Sequence, residues 1–198
     1  MKLSLLICTI PKRKEMLNSL LNQIADYSKD YFSETELEIL IDDSIDKTIG
    51  AKRDRLLNKS NGKYIAFIDD DDSITEHYFK EIRKGIDGNF DCCSLRGVMT
   101  WNGGNPELFE HSIKYTAWNT TRNIIKYERF PNHLNCIKSE IAKQVKFPDL
   151  WSAEDRDWSH ELNKRQLIKT EYFIDEIQNG LPLVRLLPKL EELVLAQK

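Results

Sequence analysis

Four consecutive carboxylates, Asp69, Asp70, Asp71 and Asp72, follow directly on the apolar run Tyr64-Ile65-Ala66-Phe67-Ile68. Adjacent ionised carboxylates repel and raise one another's pKa unless a cation shares them. The economical occupant is a hard divalent ion with oxygen ligands, Mg²⁺ or Mn²⁺, carrying phosphates on its other side. A plainer reading is a solvated acidic turn capping the next helix, because Ser73-Ile74-Thr75-Glu76 has the capping-box pattern. Two further apolar runs end in groups suited to a nucleotide: Thr9, Pro11 and Arg13 after the first, Asp43 and Ser44 after the second. Between the second run and the aspartates, Gly50-Ala51-Lys52-Arg53 puts two cations at the start of a helical pattern, where backbone N–H groups already favour anions. The alternative for Lys52 and Arg53 is an ordinary charged surface helix. Neither the P-loop nor the dinucleotide glycine pattern occurs, so neither of those nucleotide folds is supported.

The elements that must carry these groups follow from hydrophobic period. Residues 3–10, 37–41 and 64–68 are short apolar runs bounded by turn signals, which predicts strands. Between and after them lie helical patterns, with Met16, Leu17, Leu20, Leu21 and Ile24 on one face, then Ile49, Leu56 and Leu57, then Tyr78, Phe79, Ile82 and Ile86. The first ~90 residues therefore alternate strand and helix, the pattern of a parallel doubly wound sheet whose ligand crevice lies at the C-terminal strand ends. The second half is mixed. Strands are expected over 90–101, 108–115, 133–137 and 168–174, and helices over 139–145 and 154–165, with Trp158 and Leu162 inward. Residues 118–127 carry no clear assignment.

At 198 residues the chain is expected to form one α/β domain over 1–180, a nucleotide-binding half (1–100) and an acceptor half (101–180), with a helical tail at 181–198. A net charge of −3 without a basic face gives no reason to expect bulk nucleic-acid binding. The basic, apolar N-terminus resembles a leader, but Pro11 and Lys12-Arg13-Lys14 follow where a small-residue cleavage site belongs, so it reads as a strand. No apolar stretch reaches the ~18 residues of a transmembrane helix. Cys8, Cys92, Cys93 and Cys136 have no metal spacing and read as buried reduced thiols, which fits a cytoplasmic setting.

Taken together, ICTIPKR, IDDSID, TIGAKRDRLL, GKYIAFIDDDD and FPDLWSAEDRDWS resemble, in order, the blocks of family 2 glycosyltransferases with the GT-A fold. That resemblance implies a Rossmann-like, mostly parallel central sheet flanked by helices, with a mixed second half. It implies a hexosyltransferase type of enzyme using a nucleotide diphosphate sugar, with UDP favoured, and Mn²⁺ or Mg²⁺. Asp69 and Asp71 match the family's two metal-block carboxylates; by that likeness Asp69 contacts the nucleoside and Asp71 the metal, with Asp70 and Asp72 beside them. Asp43 resembles the acid that reads the base, and Thr9 to Pro11 the loop beneath it. Glu154-Asp155 resembles the pair whose second acid is the catalytic base of inverting members. More narrowly, HSIKY with Trp118, and PNHLNCIKSEIA, resemble a compact bacterial and phage-type subgroup, which makes His111, His133 and Asn135 candidates for lining the site. Trp151, beside the acid pair, is either an acceptor platform or a core aromatic under the loop.

The tail departs from that family. Leu190, Leu193 and Val194 share one side of an expected helix that could pack on the domain, pair two copies, or lie on a membrane surface. The acceptor stays open: a glycan, a lipid-linked sugar, a protein or modified DNA. Two rival functions are a nucleotidyltransferase that makes sugar nucleotides and a catalytically silent binding module.

Overall fold

The computed structural model describes residues 1–100 and 104–174 and the backbone of one further strand at 184–186. The first half runs β1 (Leu3–Cys8), a 3-10 turn (Pro11–Arg13), α1 (Lys14–Ser28), β2 (Leu37–Asp42), α2 (Ile49–Lys59) and β3 (Tyr64–Phe67). Then come β4 (Asp72–Ile74), α3 (Tyr78–Asp87) and β5 (Cys92–Met99). The second half contains β6 (Glu107–His111), β7 (Asn119–Thr120), β8 (Ile125–Arg129), β9 (Cys136–Lys138), α4 (Ser139–Ala142), α5 (Glu154–Lys164), β10 (Glu171–Ile174) and β11 (Val184–Leu186).

One sheet holds the molecule together, in the order β2-β1-β3-β9-β5-β6-β8-β7, with β10 parallel to β5 at its side. The β2-β1-β3 part is parallel, and β9 enters antiparallel between β3 and β5. β1 is buried on both sides, as a central parallel strand must be. Its alternation sorts the core: Leu3, Leu5 and Ile7 meet Leu20 and Ile24 of α1 and Ile82 and Ile86 of α3, while Leu6 and Cys8 meet Leu56 and Leu57 of α2 and Trp158 and Leu162 of α5. The mixed α/β sheet and the inward faces of α3 and α5 are as the periodicity predicts. On α1, Met16 is 40% exposed and stays outside the core.

Two expectations change, and one unassigned stretch gains its structure. The Ser73–Glu76 capping box is not used: Ser73 and Ile74 lie in β4, paired with β11, and α3 begins at Tyr78 without a side-chain cap. The unassigned stretch 118–127 supplies β7 and the start of β8. Residues 133–135 form a hydrogen-bonded loop ahead of β9, because their polar groups bond locally rather than into the sheet. The C-terminal stripe of Leu190, Leu193 and Val194 lies outside the described residues, and so do the options that rest on it. All four cysteines are buried and unbridged, and burial pushes the Cys8 thiol up to about 12. No helix among the described residues is long and apolar enough to cross a membrane.

Candidate functional site

The C-terminal ends of β1 and β3 and the N-terminus of α2 enclose a cavity of about 600 Å³, within the size range of small-molecule sites. Thr9 follows β1, and its hydroxyl donates to Asp70 Oδ2 (2.6 Å). Arg13, on the turn after it, donates to Asp70 Oδ1 (2.7 Å) and sits 3.4 Å from Asp71 Oδ2. Asp70 thus binds the β1 loop to the end of β3. Lys52 and Arg53 are not surface cations; they are 4% and 2% exposed. Lys52 Nζ donates to the Thr9 carbonyl (2.8 Å). Arg53 Nη2 donates to Asp69 Oδ1 (2.8 Å), and its guanidinium lies over the Phe67 ring. Thr48 caps α2 by accepting from Ala51 N (3.0 Å), which aims that helix start at the cavity.

The opposite wall comes from the loop before α5. It is seated on α2 at Gly50, where a Cβ would come within 1.9 Å of the Pro148 carbonyl oxygen, and Gly50 N donates to Leu150 O (3.1 Å). Ala153, at the head of α5, takes the left-handed conformation (φ 66°) and turns the chain so that α5 opens with Glu154 and Asp155 in the cavity wall. Glu154 lies 3.3 Å from Arg53 Nη1. Asp155 Oδ2 lies 3.3 Å from His133 Nδ1, and His133 Nε2 lies 3.7 Å from Asp69 Oδ2. Burial pushes the Asp155 carboxyl up, but the His133 contact and the Arg53 charge outweigh it and hold it well below the usual carboxylate range. Asp155 is therefore an ionised carboxylate facing a cavity.

A second cavity of about 280 Å³ shares Asp69, Asp71, Trp118, His133 and Asp155 with the first. Neighbouring strands build its aromatic wall: Phe109 and His111 on β6 stand in register with Tyr127 and Arg129 on β8. The Arg129 guanidinium lies 4.9 Å from the Trp118 ring centroid. His111 Nδ1 and Asn135 Oδ1 are 3.0 Å apart, and burial lowers the His111 pKa to about 3 despite that bond.

The remaining candidates separate clearly. Trp151 is 64% exposed and lines the first cavity, so it is not a core aromatic. Asn135 is fully buried and lines neither cavity; it donates to the Cys93 carbonyl and braces the loop under His133. Pro11 and Asp43 are exposed and line neither cavity. The buried acid at the end of β2 is Asp42, and Arg55 and Ser44 occupy its oxygens. Sequence reading missed Tyr127 and Arg129, although Ile125, Tyr127 and Arg129 alternate along one strand face.

Among the described residues no three acidic, histidine or cysteine side chains converge as a metal cage. Asp71 Oδ2, with Arg13 Nη1 3.4 Å away as an ion-pair partner, is buried and makes no hydrogen bond. Burial, and then the charge of Asp69, raises its pKa. Asp72, buried as the first residue of β4, lines the second cavity. One or two carboxylates suffice for an ion that takes its other ligands from phosphate and water.

The chain is a mixed α/β protein with a GT-A-like, Rossmann-like sheet. It superimposes on the crystal structure of S. aureus TarS 1-349 in complex with UDP-GlcNAc with a TM-score of 0.70 at 17% identity, over 100% of this chain and 61% of that one. For the complex of the same protein with UDP the values are 0.68 and 18%, over 93% of this chain and 60% of that one. The chain thus spans about three fifths of the length of these structures. At such identity the likeness shows the fold. No family model and no curated protein matches the sequence.

Proposed function

We propose that this chain is an inverting glycosyltransferase of the family 2 type. It moves a hexosyl group from a nucleotide diphosphate sugar, with UDP as the nucleotide, to an acceptor hydroxyl, and it depends on Mn²⁺ or Mg²⁺. The observation that carries the reading is the convergence of Asp69, Asp71 and the ionised Asp155 on one cavity large enough for such a donor. The shared fold of a protein crystallised with UDP and UDP-GlcNAc supports it.

Asp71, with Asp72, would hold the ion; when bound, the ion neutralises the departing diphosphate. Lys52 and Arg53 add buried positive charge on the same side of the cavity, held ready by Thr9 and Asp69. Thr9 and Arg13 orient Asp70, so the floor under the nucleotide is rigid. Asp155 accepts the acceptor hydroxyl proton as the sugar carbon is attacked from the face opposite the diphosphate. The acceptor enters through the second cavity, which Trp118 and Tyr127 line together with Asp155. Trp151, exposed on the wall of the first cavity beside the acid pair, offers a further platform for the acceptor.

The test is a panel of UDP-, GDP- and dTDP-sugars scored by thermal stabilisation with Mn²⁺ and with EDTA. A rise confined to UDP-sugars with metal is expected. Equal stabilisation in EDTA would remove the metal, and no stabilisation by any member would remove the donor assignment.

A further inference from the structure

His133 occupies an unusual station. Its ring is buried, at 6% exposure, and makes edge contact with Phe67. Its two nitrogens face two different carboxylates, Asp155 on α5 and Asp69 at the end of β3, at 3.3 and 3.7 Å. Neither nitrogen completes a well-aligned hydrogen bond elsewhere. A histidine kept for packing alone would have a backbone or amide partner for its ring.

The main chain around it is fixed independently of those carboxylates. Phe67 N, the last N–H of β3, donates to the His133 carbonyl (3.1 Å). Asn135 Oδ1 accepts from Asn132 N (2.9 Å), Asn132 Oδ1 accepts from Leu134 N (3.1 Å), and Asn135 Nδ2 donates to Cys93 O on β5 (2.9 Å). Two central strands thus set where the imidazole stands. α5, which starts 21 residues further along the chain, meets it there.

We propose that His133 is the positioning residue of the base. Its Nδ1 side engages Asp155 Oδ2, which leaves Oδ1 as the oxygen that receives the acceptor proton. Its attachment to β3 fixes that oxygen relative to the donor-side carboxylates. The inference rests on the reading of Asp155 as the base. The underlying logic is general: a base is most effective when a third group orients it.

The two ring nitrogens can be tested separately. An asparagine amide nitrogen reaches about as far as imidazole Nδ1, and a glutamine amide nitrogen about as far as Nε2. In the full chain, His133→Ala is expected to lower kcat by about 10-fold or more, the scale of a misaligned reacting group, with donor affinity within about twofold. The acid limb of the kcat–pH profile should move upward. His133→Asn should recover most of the lost kcat and His133→Gln little. Carbon-13 carboxyl NMR of Asp155 in wild type and His133→Ala gives a readout that needs no turnover. An Asp155 titration that moves upward supports the proposal, and one that stays put overturns it. Equal rescue by glutamine, or parallel loss of donor affinity and kcat, also overturns it. A wild-type chain that transfers no sugar while the NMR shift appears would instead sink the enzymatic reading of the site.

Discussion

Arg53 and Glu154, from opposite halves of the chain, face each other at 3.3 Å in a cavity wall, with the same guanidinium bonded to Asp69 at 2.8 Å. One buried cation thus serves two carboxylates, one from the end of β3 and one from the start of α5. Burial works against the charged guanidinium, but Asp69 and Glu154 together drive its pKa further up. The contact joins the two halves of the site, and its loss exposes the cost of each buried charge.

Arg53→Met is expected to destabilise the fold by about 3–5 kcal/mol, the usual scale for orphaning buried partners. Glu154→Gln in the same chain should restore part of that loss. Urea denaturation of the single and double variants measures both. A loss below about 1 kcal/mol for Arg53→Met would mean that solvent already satisfies these carboxylates.

Asp71 carries the opposite prediction. Its folded pKa is raised, so between the unfolded value and the folded one the native state binds the extra proton. Stability from this group then falls as pH rises through that window and stays reduced above it. Asp71→Asn should therefore raise the melting temperature of the metal-free protein at neutral pH. The same change should abolish metal-dependent stabilisation by UDP. A variant that melts lower and binds UDP normally would return the aspartates to an acidic turn.

Asp155→Asn should lower turnover by about 10²-fold or more, the scale of a lost general base, with donor affinity nearly unchanged. Asp157 is the control on the same helix turn: it is exposed and paired with Arg156, and Asp157→Asn should leave turnover near normal. NMR of the product anomer completes the test, since retention of configuration would remove Asp155 from its role.

His111 makes the fold acid-sensitive. Its pKa is lowered from 6.5 to about 3 by burial. Between those values the unfolded chain binds a proton that the native state refuses, so stability is full above about 6.5 and declines as pH falls. At pH 5 the deficit is about 2 kcal/mol, from ~1.4 kcal/mol per pH unit. Denaturation at pH 7.5 and 5 in wild type and His111→Gln checks it. The glutamine variant should lose the difference attributable to this group, and identical pH dependence in both would refute it.

The strand ends were legible because local pattern encodes them. Alternation along residues 3–8 and the abrupt change from Phe67 to the aspartates needed no partner to be read, and they placed Thr9, Arg13 and Asp69 on one sheet edge. The inward face of α3 was equally plain, since Tyr78, Phe79, Ile82 and Ile86 fall on a helical stripe. Lys52 and Arg53 read as either surface or site, because charge alone does not tell burial; their partners Thr9 and Asp69 decide it. The segment Ser73–Glu76 reads as a helix cap and becomes a strand because β11, distant in sequence, pairs with it. Asp43 reads as the strand-end acid, yet Asp42 is the buried one, since a one-residue step along β2 turns a side chain to the other face. The sequence by itself determined the sheet type and the position of Asp69 to Asp72 at the end of its third strand, which follow from local hydrophobic period and chain order. Only the tertiary structure decided that His133 and Arg53 span from Asp69 to the acids of α5, because those contacts depend on long-range packing that no local spacing records.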